Sequence, residues 1–391
     1  MKITYPDYNN ALVNLSNSIL KHYNLKTHHP TLQIVDEALA KNYKNVVLLI
    51  LDGLGTNIMQ QHLEADAFLH KHKVKDITSV FPATTTAATT SLLTGMAPVE
   101  HGWLGWDLYF KSVDKTVTVF LNTIKGKAGK QAANYHLAQT ELPITTIIDQ
   151  INKTKVASGY WISPFAGDVL AAAVKPDNKK FINLVNYDLN NLDLLFKEIK
   201  NLCMTAEQKF IYAYSLEPDS LMHQLGTKDQ RVTTIINYLD KKIAELSNQL
   251  DDTLLIITAD HGHITAGEYF FLSDYPHIRK MLMKTTSIEP RCVNFFIKKD
   301  LHVDFAVEFK KNFGDYFTLY PKQEVTDNQL FGSGVPHKKF ASFLGDYLAV
   351  ATSDKSIKDQ RVESTLKGTH AGVLADETIV GLMMVELPKG L

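Results

Sequence analysis

Five short runs along the chain are mostly apolar rather than alternating: residues 46–51, 210–215, 254–259, 293–297 and 347–351. Runs of that kind predict strands covered on both faces, as in a parallel or mixed sheet. Between them the apolar positions recur at helical spacing, over residues 31–42, 56–63, 192–201, 228–249 and 304–312. The interleaving predicts an α/β fold, with a central mostly parallel sheet and helices on both of its faces. Segment 104–142 is richer in β-branched residues, Gly and Lys, and segment 264–339 mixes both periodicities. With no internal repeat and no low-complexity linker, residues 1–391 read as one domain carrying insertions at about 104–142 and 264–339.

Composition narrows the function classes. Apolar residues make up 45%, enough for a sizeable core. Forty-one basic residues against 42 acidic ones give a net charge of −1, which argues against a stable nucleic-acid partner or a basic membrane-binding surface. Two distant cysteines, Cys203 and Cys292, form neither a disulfide framework nor a thiolate zinc motif. The first residues, MKITYPDYNNALVNL, lack a basic stretch followed by an apolar run, and no apolar stretch reaches about 18 residues. A cytoplasmic protein is therefore expected, with no membrane association.

Candidate chemistry collects where the predicted strands end, which is where α/β enzymes place it. The run 46–51 ends in Asp52-Gly53. An acid there also suits a plain helix cap for the segment starting near Thr56. Thr84-Thr85-Thr86 opens an apolar helical stretch that stops at Gly95. One hydroxyl would be enough for a cap, and a helix start also offers free N–H groups to a phosphate. After residues 210–215 come Asp219 and His223, four apart and so on one helical face. That pair is either an exposed ion pair or half of a dication site. After the run 254–259 come Asp260-His261-Gly262, where adjacent ligands require the chain to turn and the glycine permits it. His370, flanked by Gly368 and Gly372, follows late in the chain.

Three aspartates, three histidines and a hydroxyl divide into two adjoining sets of N and O ligands. Two dications held about 3.5–4 Å apart clamp the attacking and leaving oxygens of an in-line phosphoryl displacement. The ligand types suit zinc, with manganese possible and calcium least favoured.

At this point the sequence resembles the alkaline-phosphatase superfamily, and within it the nucleotide pyrophosphatase/phosphodiesterase branch. The resemblance is carried by Asp52-Gly53, the Thr-rich segment 81–95, Pro218-Asp219 with His223, Ala259-Asp260-His261-Gly262 and Gly368-Thr369-His370, over residues 46 to 372. It implies an alkaline-phosphatase-like catalytic domain and two divalent metal ions. Asp52, Thr85, Asp260 and His261 would surround one ion; Asp219, His223 and His370 would hold the other. Thr85, ten residues before Gly95, would be the nucleophile, with Thr84 as the alternative register. The implied function is a hydrolase of phosphodiester or pyrophosphate bonds acting on a small-molecule phosphate ester, possibly a nucleotide. Sibling chemistries are a phosphomonoesterase, a phosphonate hydrolase or a phosphoryl transferase, and the non-enzymatic alternative is a silent metal-binding scaffold. One departure is Ala88, which stands where diesterases of this branch often carry a phosphate-binding asparagine.

Other residues invite a role. Trp103 and Trp106 offer rings for stacking, but packing of an insertion against the core is the favoured reading. His101 and His263 flank motifs as phosphate contacts or structural residues, His337 sits in a loop, and His28-His29 are expected to face solvent. The four arginines, Arg231, Arg279, Arg291 and Arg361, all lie outside the motifs. A dianionic monoester usually needs such a clamp, so their placement favours a monoanionic diester.

Overall fold

The computed structural model describes residues 1–165 and 167–390. Its central sheet has seven strands, in the spatial order Lys73–Thr78, Ile379–Leu387, Thr253–Thr258, Asn45–Leu51, Lys209–Ser215, Ser158–Ser163 and Leu184–Asn186. The three middle strands expected from their apolar runs are buried at every position, so neither face meets solvent. They pair in parallel, with Leu51 opposite Ser215 and Ile50 opposite Thr258. That register brings their carboxyl ends level at one edge of the sheet.

The sheet is mixed but broadly as expected, with four parallel pairings and two antiparallel ones. Ile379–Leu387 runs antiparallel to both of its neighbours. Its reversal has a consequence for the site. The chain arrives at the same edge from the residues before 379, while Lys73–Thr78 leaves that edge toward the threonines. All five helical patterns are present, as Gln33–Leu39, Thr56–His62, Asp193–Cys203, Gln230–Ser247 and His302–Phe313.

Two of the expected strands belong elsewhere. Cys292–Phe295 and Tyr347–Ala351 lie in a second seven-stranded sheet that is antiparallel throughout. Their side chains alternate between two cores. Leu348 and Val350 enter the main core, while Ala349 and Ala351 meet Phe305, Phe309 and Phe313 of the helix His302–Phe313. Burial on both faces made the runs mostly apolar, whatever the direction of pairing. This sheet also joins segment 104–142 to segment 264–339, through the pairing of Ile288 with Asp107. Among the described residues no helix is long and apolar enough to cross a membrane.

The helix Thr85–Thr94 stands between the two sheets' contributions. Its amino end follows Thr84, which is extended, and its carboxyl end closes on Gly95 in the left-handed region at φ 72°. A helix with buried polar residues, Leu12–His22, grips it. Asn17 Nδ2 donates to Gly95 O at 2.8 Å, and Ser16 Oγ donates to Leu92 O at 2.8 Å.

Candidate functional site

Three loops leave the level carboxyl edge of the central sheet and bring Asp52, Asp219 and Asp260 together, all buried. Asp52 N donates to Ser215 O and Asp219 N donates to Asp52 O, which stitches the first two loops to each other. Gly53 N and His261 N both donate to Asp260 Oδ1, at 3.1 and 3.0 Å, which ties the third loop to the first. The turn at Gly262 is tight. A Cβ there would meet Asp376 O at 2.1 Å, and one on Gly55 would meet the Gly262 Cα at 2.5 Å. The expected turn that lets Asp260 and His261 act together is therefore held from both sides.

Only one hydroxyl of the threonine cluster faces these acids. Thr85 Oγ1 lies 3.5 Å from Asp52 Oδ2 and 3.2 Å from His261 Nε2. Thr84 Oγ1 instead donates to Glu289 Oε1 at 2.7 Å, on the second sheet. Thr89, Thr90 and Thr94 donate back to carbonyls one turn earlier in their own helix. Thr85 is the first residue of that helix, so the N–H groups of Thr85, Thr86 and Ala87 precede its first internal bond, from Ala88 N to Thr84 O. Ala88 itself is fully buried and has no polar group to offer.

Four imidazoles complete the cluster, and they share one orientation. His223 Nδ1 faces Gly368 O at 2.9 Å, His261 Nδ1 faces Gly262 O at 2.9 Å, and His370 Nδ1 faces Ala83 O at 3.0 Å. His263 Nδ1 faces Ile264 O at 3.3 Å. A carbonyl oxygen only accepts, so each Nδ1 carries a hydrogen and each ring turns its Nε2 inward. This is the arrangement in which histidines ligate metals.

The electrostatics agree. Burial, and then the charges of Asp260 and Asp219, push the Asp52 carboxyl well above its ordinary range. Burial opposes the charge on Asp219 as well, but His223 and then His263 beside it outweigh that and hold the carboxyl low. Burial and His261 keep His370 neutral. Tyr214 donates its hydroxyl to Asp52 Oδ2. Even so, Asp52 Oδ1, Asp219 Oδ1, Asp260 Oδ2 and His263 Nε2 are buried without hydrogen-bond partners. Orphaned buried acceptors at one point are costly unless a cation meets them.

The ligand atoms fall into three overlapping groups, each within 4.8 Å: Asp52, Asp260 and His261; Asp219, His261 and His370; and Asp219, His223 and His263. The residues present thus fit dications. Asp52, Thr85, Asp219, His223, Asp260, His261 and His370 lie in one cluster with His263, but the grouping differs from the expected sets: His370 falls with Asp219 and His261, and His223 with Asp219 and His263. The sequence had placed His263 beside a motif without choosing a role, because neighbouring histidines on one loop need not face the same way. A second residue missed is Glu289. It receives Thr84 Oγ1 and Trp106 N, and burial pushes its carboxyl up to about 7. Nothing in its local sequence distinguishes it.

Other expectations resolve simply. Trp103 is fully buried and donates Nε1 to Leu142 O, while Trp106 is 40% exposed beside Phe120. His101 is buried against Ser91 Oγ. His337 packs at Gly102 and donates its N–H to Val99 O. His29 is not solvent-facing: its side chain is 6% exposed and meets Glu100 Oε2 at 2.6 Å, which holds the N-terminal segment to the helix Pro98–His101. Arg231 and Arg361 pair with Asp229 and Asp274 at the surface. Arg291, wholly buried, is bidentate to Glu377, whose carboxylate also receives the N–H groups of Gly372 and Leu374. That pair fixes the loop carrying His370.

Among solved structures, human ectonucleotide pyrophosphatase/phosphodiesterase 5 is similar, with a TM-score of 0.66 and 18% identity over 88% of this chain and 90% of that one. An inactive threonine-to-alanine variant of the murine protein, in complex with AMP, gives 0.64 and 17% over the same shares. Phosphonoacetate hydrolase from Sinorhizobium meliloti 1021, in complex with phosphonoformate, gives 0.65 and 14%, again over 88% and 90%. No curated protein matches this chain by sequence. The profile of the type I phosphodiesterase / nucleotide pyrophosphatase family matches residues 46–372, which takes in every residue of the cluster, and the chain belongs to that family of hydrolases.

Proposed function

We propose that this chain hydrolyses phosphodiester or pyrophosphate bonds of small-molecule esters, nucleotides among them, with Thr85 as nucleophile and two divalent ions bound. The observation that carries the reading is the placement of Thr85 Oγ1. It stands at a helix amino end, 3.2 Å from His261 Nε2 and 3.5 Å from Asp52 Oδ2.

Asp52, Asp260 and His261, with Thr85, would hold one ion, and Asp219, His223 and His370 the other. When bound, the ions supply charge to the phosphoryl oxygens and acidify the threonine hydroxyl. The chain's own residues do the rest. The helix Thr85–Thr94, anchored by Asn17 and Ser16, fixes the direction of Thr85 Oγ1. The free N–H groups of Thr85, Thr86 and Ala87 face the charge that builds on phosphorus-bound oxygens, the work that Ala88 cannot do. Thr85 Oγ1 bonds to phosphorus as the ester oxygen leaves with its electron pair; water then cleaves the phosphothreonine and restores the hydroxyl. The inactive murine variant, a threonine-to-alanine change, supports a threonine in that role.

A second reading, phosphonate hydrolysis, draws on Ala88 and on the similarity to phosphonoacetate hydrolase. Both readings are tested with nitrophenyl diesters, nitrophenyl phosphate and phosphonates, each with and without zinc or manganese. Thr85→Ala should lower turnover by at least about 10³-fold, Thr85→Ser should keep part of it, and Thr84→Ala should stay active. An active Thr85→Ala protein would remove the assignment. A phosphonate turned over faster than every diester would select the second reading.

A further inference from the structure

The hydroxyl next to the proposed nucleophile stands in a capping position and caps nothing. Thr84 directly precedes the helix Thr85–Thr94, extended at φ −142° and ψ 148°, yet its side chain makes no bond to that helix. A threonine so placed ordinarily turns its oxygen to the N–H of the second or third helical residue, Thr86 or Ala87 here. Thr84 Oγ1 donates instead to Glu289 Oε1 at 2.7 Å, across to the second sheet. The N–H groups assigned above to phosphoryl oxygens stay open because their usual partner is engaged elsewhere.

Glu289 is itself held firmly. It ends the strand Ser287–Glu289, whose Ile288 pairs with Asp107. A Cβ on Gly105 would meet Ile288 O at 2.9 Å and Ile288 Cγ2 at 2.8 Å, so only glycine lets the chain pass this close to the strand. The next residue, Trp106, donates its N–H to the same Glu289 Oε1 at 2.8 Å. One carboxylate oxygen thus receives two hydrogens from two separate segments, which fixes its direction. On the other side of Thr84, Ala83 O receives His370 Nδ1 at 3.0 Å, so the backbone ahead of the helix is pinned as well.

We propose that Glu289 is a positioning residue that draws the Thr84 hydroxyl off the helix start and so keeps the N–H groups of Thr86 and Ala87 open to phosphoryl oxygens. The inference rests on the reading of Thr85 as a nucleophile at an open helix start. Glu289 acts through Thr84 rather than on the substrate. Without the carboxylate, the hydroxyl turns back, caps the helix and competes with substrate for those two donors. A cap would stabilise the helix, so the fold gives up local stability to keep a binding surface free.

The test compares Glu289→Ala, Thr84→Val and the double variant, each supplied with zinc, in first-turnover release of nitrophenolate from a nitrophenyl diester. Glu289→Ala should slow that turnover by at least about tenfold, because the capped donors no longer meet the developing charge. Thr84→Val has no hydroxyl to turn back and should keep at least about half of the wild-type rate. The double variant should recover to within about threefold of Thr84→Val. Amide exchange of metal-free protein gives a second readout: the N–H of Thr86 or Ala87 should gain protection in Glu289→Ala and lose it again in the double variant. Glu289→Met, of similar length, takes the place of the alanine variant if that one does not fold. A double variant as slow as Glu289→Ala, a folded Glu289→Ala at the wild-type rate, or no added protection would each overturn the role of Glu289. Turnover by Thr85→Ala, run beside them, would instead overturn the nucleophile reading beneath it.

Discussion

Asp52 and Asp219 follow the ends of adjacent strands, both are buried, and their surroundings drive them in opposite directions. Around Asp52 the neighbours are acids, with Asp260 and Asp219 adding to the effect of burial. Around Asp219 they are imidazoles. One half of the site is therefore strained by like charge until a cation arrives, and the other half is already partly balanced. Position along a strand edge does not decide what a carboxylate does there; the residues brought in from distant segments decide it.

The largest effect that would break this contrast is catalytic. Asp260→Ala removes a carboxylate beside Thr85 and should abolish nearly all turnover together with one equivalent of bound metal, measured by elemental analysis beside the ester assay. Full activity with one equivalent missing would mean that the acid-rich half is not where the chemistry occurs.

Next in size is a pair of opposed stability changes in protein stripped of dications. Asp52→Asn should raise Tm by at least about 2 °C, because it removes a buried charge set among acids. Asp219→Asn should lower it, because it removes the charge beside His223 and His263. The pH dependence carries the same signs. A carboxyl raised in the folded state contributes stability below its unfolded pKa near 4 and loses it as pH rises through the folded value. A carboxyl depressed in the folded state contributes above that unfolded value and loses it as pH falls through the folded one. Tm shifts of the same sign in both variants would collapse the distinction.

A smaller effect concerns substrate. Three of the four arginines are engaged with Asp229, Asp274 and Glu377, so a dianionic monoester finds little compensation from them. A nitrophenyl diester should be preferred over nitrophenyl phosphate in kcat/KM by at least about tenfold, roughly 1.4 kcal/mol of transition-state stabilisation. Trp106→Ala should reduce that preference, and an unchanged ratio would free the exposed indole from any part in it. The smallest effect is at Glu289. Its carboxyl, raised to about 7, contributes stability below the ordinary glutamate value of 4.5 and loses it as pH climbs to about 7. Glu289→Gln should flatten Tm over that interval, and an unaltered slope would assign the titration elsewhere.

Strands such as Asn45–Leu51 and Lys209–Ser215 were legible because burial on both faces writes an unbroken apolar run into the chain. The acids that follow them were legible for the same reason, since an abrupt charge after such a run stands out. The helix Leu12–His22 was not, because Asn14, Ser16, Asn17 and Ser18 are buried polar residues that bond to neighbouring backbone and break the apolar period. The reversed strand Ile379–Leu387 was missed, and with it the mixed character of the sheet. The apolar runs at Cys292–Phe295 and Tyr347–Ala351 gave the correct element but not the correct sheet, since hydrophobicity reports cover and not the direction of a partner. His263 and Glu289 depend on contacts with Asp219 and Thr84, far away in the chain, and carry no local mark.

The reversed strand also bears on how the protein comes into being. Ile379–Leu387 lies between Lys73–Thr78 and Thr253–Thr258, so the earlier strands cannot close their sheet until it is made. Pairing Ile379 with Thr78 spans about 300 residues, a contact of very high sequence separation. At about 5–20 residues per second, on the order of 15–60 s of translation separates the two partners. Through that interval the strand Lys73–Thr78, whose far end leads to Thr85, has an open edge, and His370 has yet to be made. The nascent chain therefore spends that interval with an unpaired strand edge, and the loop carrying His370 arrives only just ahead of the strand that closes the sheet.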